Sequence, residues 1–146
     1  MEKRVVVTGL GAVSPLGNDA KTTWENMKKG VCGIDTVTKF DITDYKCKFA
    51  GEVRGFDPTL YIPKGDVRKT DLYCQYAVAA AAQAYEDRGM SAESIEPERF
   101  GVYIGSGIGG IHTLVTEHSK LVEKGPGRVS PFFVPMMISN IASGTV

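Results

Sequence analysis

The sequence predicts an α/β fold with a largely parallel sheet, because strand patterns alternate with helix patterns along the chain. Residues 4–8 and 100–106 are runs of mostly apolar side chains, a pattern typical of strands buried on both faces. A glycine-rich turn and then a helix pattern follow each run. The length of 146 residues favours a single domain, residues 1–146.

Three helices are predicted from apolar spacing and from the residues at their ends. The first covers about 19–29, with Asn18 as its N-cap and Gly30 just beyond its end. The second covers about 69–88 and contains the segment AVAAAAQA, whose small apolar side chains predict close packing on more than one side. The third covers about 111–123.

A further strand is predicted over residues 47–53, between the first two helices. Its apolar side chains, Cys47, Phe49 and Val53, alternate with lysine, alanine or glutamate neighbours. Alternation of this kind indicates a strand with one dry face and one wet face, so we expect Phe49 to be covered.

Composition excludes several classes of protein. Lys plus Arg and Asp plus Glu both number 17, and the resulting net charge of zero argues against a nucleic-acid-binding protein. The cysteines, Cys32, Cys47 and Cys74, form no C-x-x-C pair, which favours a reducing compartment and no zinc site. No long apolar run follows the basic N-terminus, so we expect no signal peptide and a cytoplasmic protein.

Residues 129–146 carry no charged side chain. Pro131, Pro135 and Asn140 within this segment argue against a membrane span. One interpretation is a buried C-terminal helix. Because chain ends are usually polar and exposed, we favour the alternative that the chain is the front part of a larger protein.

The loop GSGIGG, residues 105–110, matches G-x-G-x-x-G between a strand and a helix, the context of a dinucleotide-binding turn. The acidic residue expected about 20 positions later is Glu123, at a helix end rather than a strand end. A tight strand-to-helix turn without a ligand is the competing interpretation. His112 and His118 fall on different faces of the following helix, so no metal site is predicted.

Basic side chains cluster at two places, and a solvated face is the simplest interpretation of each. In a neutral chain they could also receive one acidic partner. The clusters are Lys64, Arg68 and Lys69, and then Lys120, Lys124 and Arg128.

Four segments, in matching order and spacing, together resemble the front portion of the type II β-ketoacyl-[acyl-carrier-protein] synthases, condensing enzymes of the thiolase superfamily. They are RVVVTGLGAVSPLGN, RKTDLYCQYAVAAAAQA, GVYIGSGIGG and GRVSPFFVPMMISNIASG. The resemblance implies a layered α-β-α-β-α fold made of two βαβαβ halves. Residues 1–146 would supply most of the first half and end before the catalytic cysteine.

The resemblance also implies the chemistry, a decarboxylative Claisen condensation that extends an acyl thioester with malonyl-carrier protein. The family's nucleophilic cysteine and its two histidines would lie beyond Val146. We therefore expect no residue of this chain to be catalytic, and we expect the chain alone to be inactive. No cofactor or metal is implied, since the acyl carrier protein delivers the phosphopantetheine. The partners implied are that carrier protein and a second copy of the chain.

Site residues are carried over from the resemblance position by position. Ile108 would gate the fatty-acyl pocket, and Phe133 would reach the pocket of the partner subunit. Arg68 and Lys69, beside the long helix, would dock the acidic carrier protein. Lys124 and Arg128 are a second candidate docking pair. A chain-length-factor-like partner without catalysis, and less strongly a dinucleotide-binding oxidoreductase, remain alternatives.

Overall fold

The structure is a computed structural model that describes residues 4–146 and, except at position 92, their side chains. The chain is mainly helical in this range, with short 3-10 turns between the helices. The α-helices are α1 (Ala20–Lys28), α2 (Lys64–Val67), α3 (Leu72–Asp87), α4 (Ile111–Lys124), α5 (Phe133–Met137) and α6 (Ile141–Thr145). The strands are β1 (Ile34–Thr36) and β2 (Phe49–Gly51).

The two strands form an antiparallel ribbon in which Ile34 pairs with Gly51 and Thr36 pairs with Phe49. The predicted dry face is wrong, because Phe49 is 64% exposed whereas Ala50, on the opposite face, is half-buried. No second layer covers Phe49 in the described part of the chain.

Glu52, which alternation placed on a wet face, is buried just after β2. Its carboxylate accepts hydrogen bonds from the Thr38 N–H at 3.1 Å and the Thr38 hydroxyl at 2.7 Å. It also accepts one from the Lys39 N–H at 3.3 Å. Glu52 therefore fixes the segment that follows β1 to the end of β2.

The two predicted buried strands are not formed within residues 4–146. Val5 is 94% exposed and Tyr103 is fully exposed, and the described residues place no strand beside either segment. A strand is completed by hydrogen bonds from a neighbour, so an apolar run without one stays irregular. The second segment is held instead by Ser143, whose hydroxyl accepts from the Ile104 N–H at 3.2 Å.

The helix predictions are confirmed, with corrected ends. Asp19, rather than Asn18, caps α1, because its carboxylate accepts the Thr22 N–H at 2.7 Å. α3 begins at Leu72 instead of about residue 69, since the Asp71 carboxylate and carbonyl accept N–H groups of its first turn. Residues 71–84 include no exposed position, which agrees with the close packing predicted for the alanine-rich segment.

The chain divides into two compact units. The first holds residues 4–57 and Ala82–Gly89, where the turn after residue 8 meets the end of α3: the Leu10 N–H donates to Asp87 at 2.9 Å and the Ala12 N–H to Gln83 at 3.0 Å. The second holds Pro58–Ala81 and Met90–Val146. Its buried apolar residues include Ile62, Cys74, Ala79 and Ala142.

Candidate functional site

The glycine loop before α4 packs directly on the last residues of α5. A Cβ atom added at Gly109 would overlap the carbonyl oxygen of Met137, and one added at Gly110 would overlap that of Met136. Gly109 also has φ +80°, a conformation that favours glycine. These two glycines are therefore needed for a close approach of backbone to backbone.

Protein groups already occupy three of the N–H donors at this turn. The Gly109 N–H donates to the Ser106 hydroxyl, and the Gly110 N–H donates to the Met137 carbonyl, both at 2.9 Å. The Thr113 N–H donates to the Asp71 carboxylate at 2.9 Å. A carboxylate at this helix start also repels phosphate, so the geometry favours the structural interpretation of GSGIGG.

Asp71 joins the starts of α3 and α4. One carboxylate oxygen accepts from the Tyr73 N–H at 3.2 Å in the first turn of α3. The other accepts from both the N–H and the hydroxyl of Thr113 in α4. Asp71 is 5% exposed, so a single buried carboxylate fixes the first turns of the two helices against each other.

The two predicted acyl-pocket residues lie on segments that touch. Ile108 is in the glycine loop and is 65% exposed, whereas Phe133 is half-buried at the start of α5. The Gly110–Met137 hydrogen bond joins the loop to the end of α5. Tyr73 reinforces the arrangement from α3 by donating its hydroxyl to the Ile138 carbonyl.

The first predicted docking pair lies in the short connection between α2 and α3, before the long helix rather than on it. Arg68 and Lys69 are both exposed. Lys69 pairs with Asp66 at 2.7 Å, which offsets part of its positive charge. The capping role of Asp71 explains why α3 starts only after this pair.

The second predicted pair lines an open depression of about 590 Å³. Lys124 is the last residue of α4, and Arg128 lies in the 3-10 turn Pro126–Arg128 that follows. Lys120, one turn earlier in α4, is the third lining residue. The structure thus brings the second basic cluster together, and Arg68 and Lys69 do not line the same depression.

A carboxylate that the sequence analysis missed underlies this basic cluster. Glu117 is buried, forms an ion pair with Lys120 at 2.6 Å and accepts the Ser130 N–H at 2.7 Å. The hydrogen bond from the Lys120 side chain, followed by that from the Ser130 backbone, lowers the pKa of Glu117 below its ordinary value. Its spacing of three residues from Lys120 on a helix was the available sequence signal.

The cysteines and histidines do not assemble a reactive site in the described residues. Cys74 is fully buried, and burial raises the pKa of its thiol. Cys32 and Cys47 are exposed, as are His112 and His118 on α4. Residues 4–146 contain no group of three or more histidine, cysteine or acidic side chains placed to hold a metal ion.

None of the helices in residues 4–146 combines the length and apolar character required to cross a membrane.

Comparison with models of protein families identifies the family of this chain. Residues 2–146 match the model of the β-ketoacyl synthase N-terminal domain. The chain belongs to the β-ketoacyl synthase family. The resemblance in its four segments is thereby confirmed over nearly all of its length.

Individual synthases are similar across the same range. The chain is 50% identical over 144 residues to 3-oxoacyl-[acyl-carrier-protein] synthase 2 of Staphylococcus aureus strain COL, covering 99% of this chain and 35% of that protein. It is 47% identical over 145 residues to the protein of the same name from Vibrio cholerae, with coverage of 99% and 35%. The chain therefore spans about a third of the length of these curated synthases.

Solved structures show the same fold. The ishigamide ketosynthase/chain length factor matches with a TM-score of 0.84 at 24% identity, over 99% of this chain and 36% of that one. A type II PKS acyl-carrier protein in complex with its ketosynthase bound to the hexaketide matches with a TM-score of 0.79 at 24% identity, over 99% and 38%. The chain has part of the thiolase-like α/β fold of the ketosynthases, as predicted.

Proposed function

We propose that this chain is part of a β-ketoacyl-[acyl-carrier-protein] synthase of fatty-acid elongation, a cytoplasmic homodimer. The observation that carries the proposal is the 50% identity to a 3-oxoacyl-[acyl-carrier-protein] synthase 2, sustained over 99% of the chain. The Gly110–Met137 hydrogen bond holds the loop that bears Ile108 in a defined position, which agrees with a role in lining a pocket.

The proposed reaction condenses an enzyme-bound acyl thioester with malonyl-carrier protein. Covalent transfer of the acyl group to a cysteine divides one difficult step into two easier ones. Loss of CO2 from the malonyl group then supplies the electron pair that attacks the thioester carbonyl, and the cysteine leaves as its thiolate. In this proposal the cysteine and both histidines belong to the part of the synthase that these 146 residues do not span.

Ile108 and Phe133 are proposed to form part of the wall of the acyl pocket. The glycine loop supports this assignment, because Gly109 and Gly110 anchor it tightly while Ile108 remains 65% exposed beside the anchor. A β-branched side chain has few rotamers, so it would limit the depth available to the growing acyl chain unless it swings away. Phe133 is assigned to the same wall from the partner subunit.

An acidic acyl carrier protein is the proposed macromolecular partner. The depression lined by Lys120, Lys124 and Arg128 supports a docking site there, since a partner of opposite charge gains both rate and orientation from such a surface. Arg68 and Lys69 are the other proposed docking residues. Lys124 and Arg128 have the better structural support, because they share one depression with a third cation.

The pocket assignment is tested by Ile108→Phe in a chimera in which these 146 residues replace the matching segment of the Staphylococcus aureus synthase. Products from acyl-carrier proteins of increasing chain length are measured by mass spectrometry. The larger ring should shift elongation to shorter acyl chains, while Ile108→Leu, which conserves volume, should leave the preference nearly unchanged. An unchanged preference in Ile108→Phe would refute the pocket role.

A non-catalytic partner of the chain-length-factor kind is the second candidate, because the ishigamide ketosynthase/chain length factor has the same fold. Its 24% identity is half that of the synthase match, which favours the condensing enzyme. Mass spectrometry of the longer protein after incubation with acyl-carrier protein separates the two. A covalent acyl adduct on a cysteine supports the synthase, and its absence supports the non-catalytic partner.

A further inference from the structure

We infer that Glu117 is a positioning residue that holds the basic surface of Lys120, Lys124 and Arg128 in the arrangement that an acidic carrier protein recognises. This inference rests on the proposed function, which assigns docking to Lys124 and Arg128 but gives no role to Glu117.

The two carboxylate oxygens of Glu117 serve different parts of the chain. One forms the 2.6 Å ion pair with the Lys120 ammonium group, and the other accepts the Ser130 N–H at 2.7 Å. The Glu117 side chain is 7% exposed, whereas that of Lys120 is 41% exposed. Glu117 is therefore the interior end of the pair, and Lys120 is the end that faces solvent.

The contact with Ser130 folds the chain back along α4. The helix stops at Gly125, which has φ +79° and donates its N–H to the Leu121 carbonyl at 3.1 Å. The Arg128 N–H then donates to the Gly125 carbonyl at 3.2 Å in the following turn. The hydrogen bond from the Ser130 N–H to Glu117 fixes this reversal of the chain. Glu117 lies thirteen residues before Ser130 and two turns before the end of the helix.

The reversal is what gathers the cations. Lys120 and Lys124 lie one helical turn apart, so they project from the same side of α4. Arg128 comes after the helix and joins them in one depression because the chain returns alongside the last turns of α4. Without the buried carboxylate, Ser130 would lose its hydrogen bond to α4 and Lys120 would lose its ion pair.

Positioning and simple charge predict opposite effects when Glu117 is removed. A carboxylate beside three cations lowers the positive potential that an acidic partner meets, so charge alone predicts tighter binding after its removal. Positioning predicts weaker binding, because mobile lysine and arginine side chains must then be ordered by the partner. The sign of the change therefore separates the two explanations.

The experiment compares Glu117→Ala with Glu123→Ala in the chimera with the Staphylococcus aureus synthase. Glu123 lies on the same helix beside Lys124 and is exposed, so its removal makes the same change of charge without the buried contacts. The probe is the Staphylococcus aureus acyl carrier protein in its phosphopantetheine-carrying form, and affinity is measured by surface plasmon resonance. Circular dichroism checks that each variant retains its helices.

We expect Glu117→Ala to weaken binding about three- to tenfold and Glu123→Ala to leave it unchanged or slightly tighter. Glu117→Gln keeps an acceptor for the Ser130 N–H and loses only the ion pair, so it should lie between the parent and Glu117→Ala. It also keeps the test usable if the alanine variant does not fold. Tighter binding by the Glu117 variants would overturn the inference.

Amide hydrogen exchange without any partner separates failure of this inference from failure of the proposed docking. In Glu117→Ala, the amides of residues 125–130 should exchange faster than in the parent and in Glu123→Ala. Unchanged exchange would overturn the positioning role. If the parent fails to bind the carrier protein but exchange still rises in Glu117→Ala, the docking proposal is contradicted and the structural role of Glu117 is supported.

Discussion

Gly110, like Gly109, is packed tightly against the backbone of α5. Its missing side chain lets the glycine loop approach two neighbours. An added Cβ atom would overlap the Met136 carbonyl oxygen and would meet the Asp71 carboxylate at 3.0 Å. We predict that Gly110→Ala lowers the free energy of unfolding by about 2 kcal/mol, because the Met136 carbonyl is part of the backbone of α5 and the Asp71 carboxylate cannot move without breaking its hydrogen bonds to Thr113. Urea denaturation measures the change.

Gly107→Ala is the matched control in the same loop. A Cβ atom at Gly107 would meet nothing within 4 Å, so stability should be unchanged or should rise by up to about 1 kcal/mol as the unfolded chain loses freedom. Equal effects of the two substitutions would contradict the close approach.

The burial of three carboxylates, at Glu52, Asp71 and Glu117, was not predicted from the sequence. Acidic residues are mostly exposed in proteins, and each of these is buried because it meets backbone N–H groups supplied by another part of the chain. Two of them carried a local signal: Asp71 is a short polar residue just before an apolar helical run, and Glu117 lies three residues before Lys120 on a helix. The docking role of Arg68 came from the family resemblance, and it stays a prediction.

At the scale of elements, α1 depends on the Asp19 cap. Its carboxylate accepts from both the N–H and the hydroxyl of Thr22, at 2.7 and 2.6 Å. We predict that Asp19→Ala lowers the free energy of unfolding by about 1 kcal/mol, because the first turn of the helix loses its acceptor. Thermal unfolding followed by circular dichroism measures the loss.

The exposed neighbour Lys21 supplies the comparison for the cap. Lys21→Ala should change stability by less than about 0.5 kcal/mol, since alanine is a good helix former and no cap is lost. A similar loss in both variants would show that Asp19 has no special capping role.

The loop closed by Glu52 makes stability depend on pH. The hydrogen bond from the Thr38 hydroxyl, followed by that from its backbone N–H, lowers the pKa of Glu52 below its ordinary value of 4.5. Such a group stabilises the fold above its ordinary pKa and loses that contribution as the pH falls through the folded-state pKa. We therefore predict that Glu52→Gln loses less stability than the parent between about pH 6 and about pH 3.

Urea midpoints at several pH values measure this difference, with Glu86→Gln as the control. Glu86 is exposed near the end of α3, so its variant should follow the parent curve. Parallel curves for the parent and Glu52→Gln would contradict the assigned role of the carboxylate.

Helices and strands differed in how far the sequence determined them. The three longest helices, α1, α3 and α4, depend on local spacing, caps and glycine stops, so their existence was predicted and only their ends moved by a few residues, whereas the short helices α2, α5 and α6 were not predicted. The expected strands at 4–8 and 100–106 depend on neighbouring strands, and the described residues supply none. The covered face assigned to Phe49 was wrong for the same reason, because burial of a strand face requires a second layer.

At the scale of the whole molecule, many apolar side chains are exposed, which indicates that other elements or another subunit cover these surfaces. Val5, Tyr103 and Val134 are each more than half exposed, whereas large apolar patches are uncommon on monomeric proteins. In the proposed synthase these residues pack against further elements of the thiolase-like fold and against the partner subunit. The family motifs predicted this fold, although local patterns alone did not predict which segments would pair.

Condensation by the chimera with the Staphylococcus aureus synthase tests the central claim most directly. Purified chimera is incubated with acyl- and malonyl-carrier protein, and β-ketoacyl product is measured by mass spectrometry. We expect product from the chimera and none from the 146 residues alone, because the proposed catalytic groups come from the rest of the synthase. A chimera that folds and dimerises but makes no product, or turnover by the isolated chain, would contradict the account.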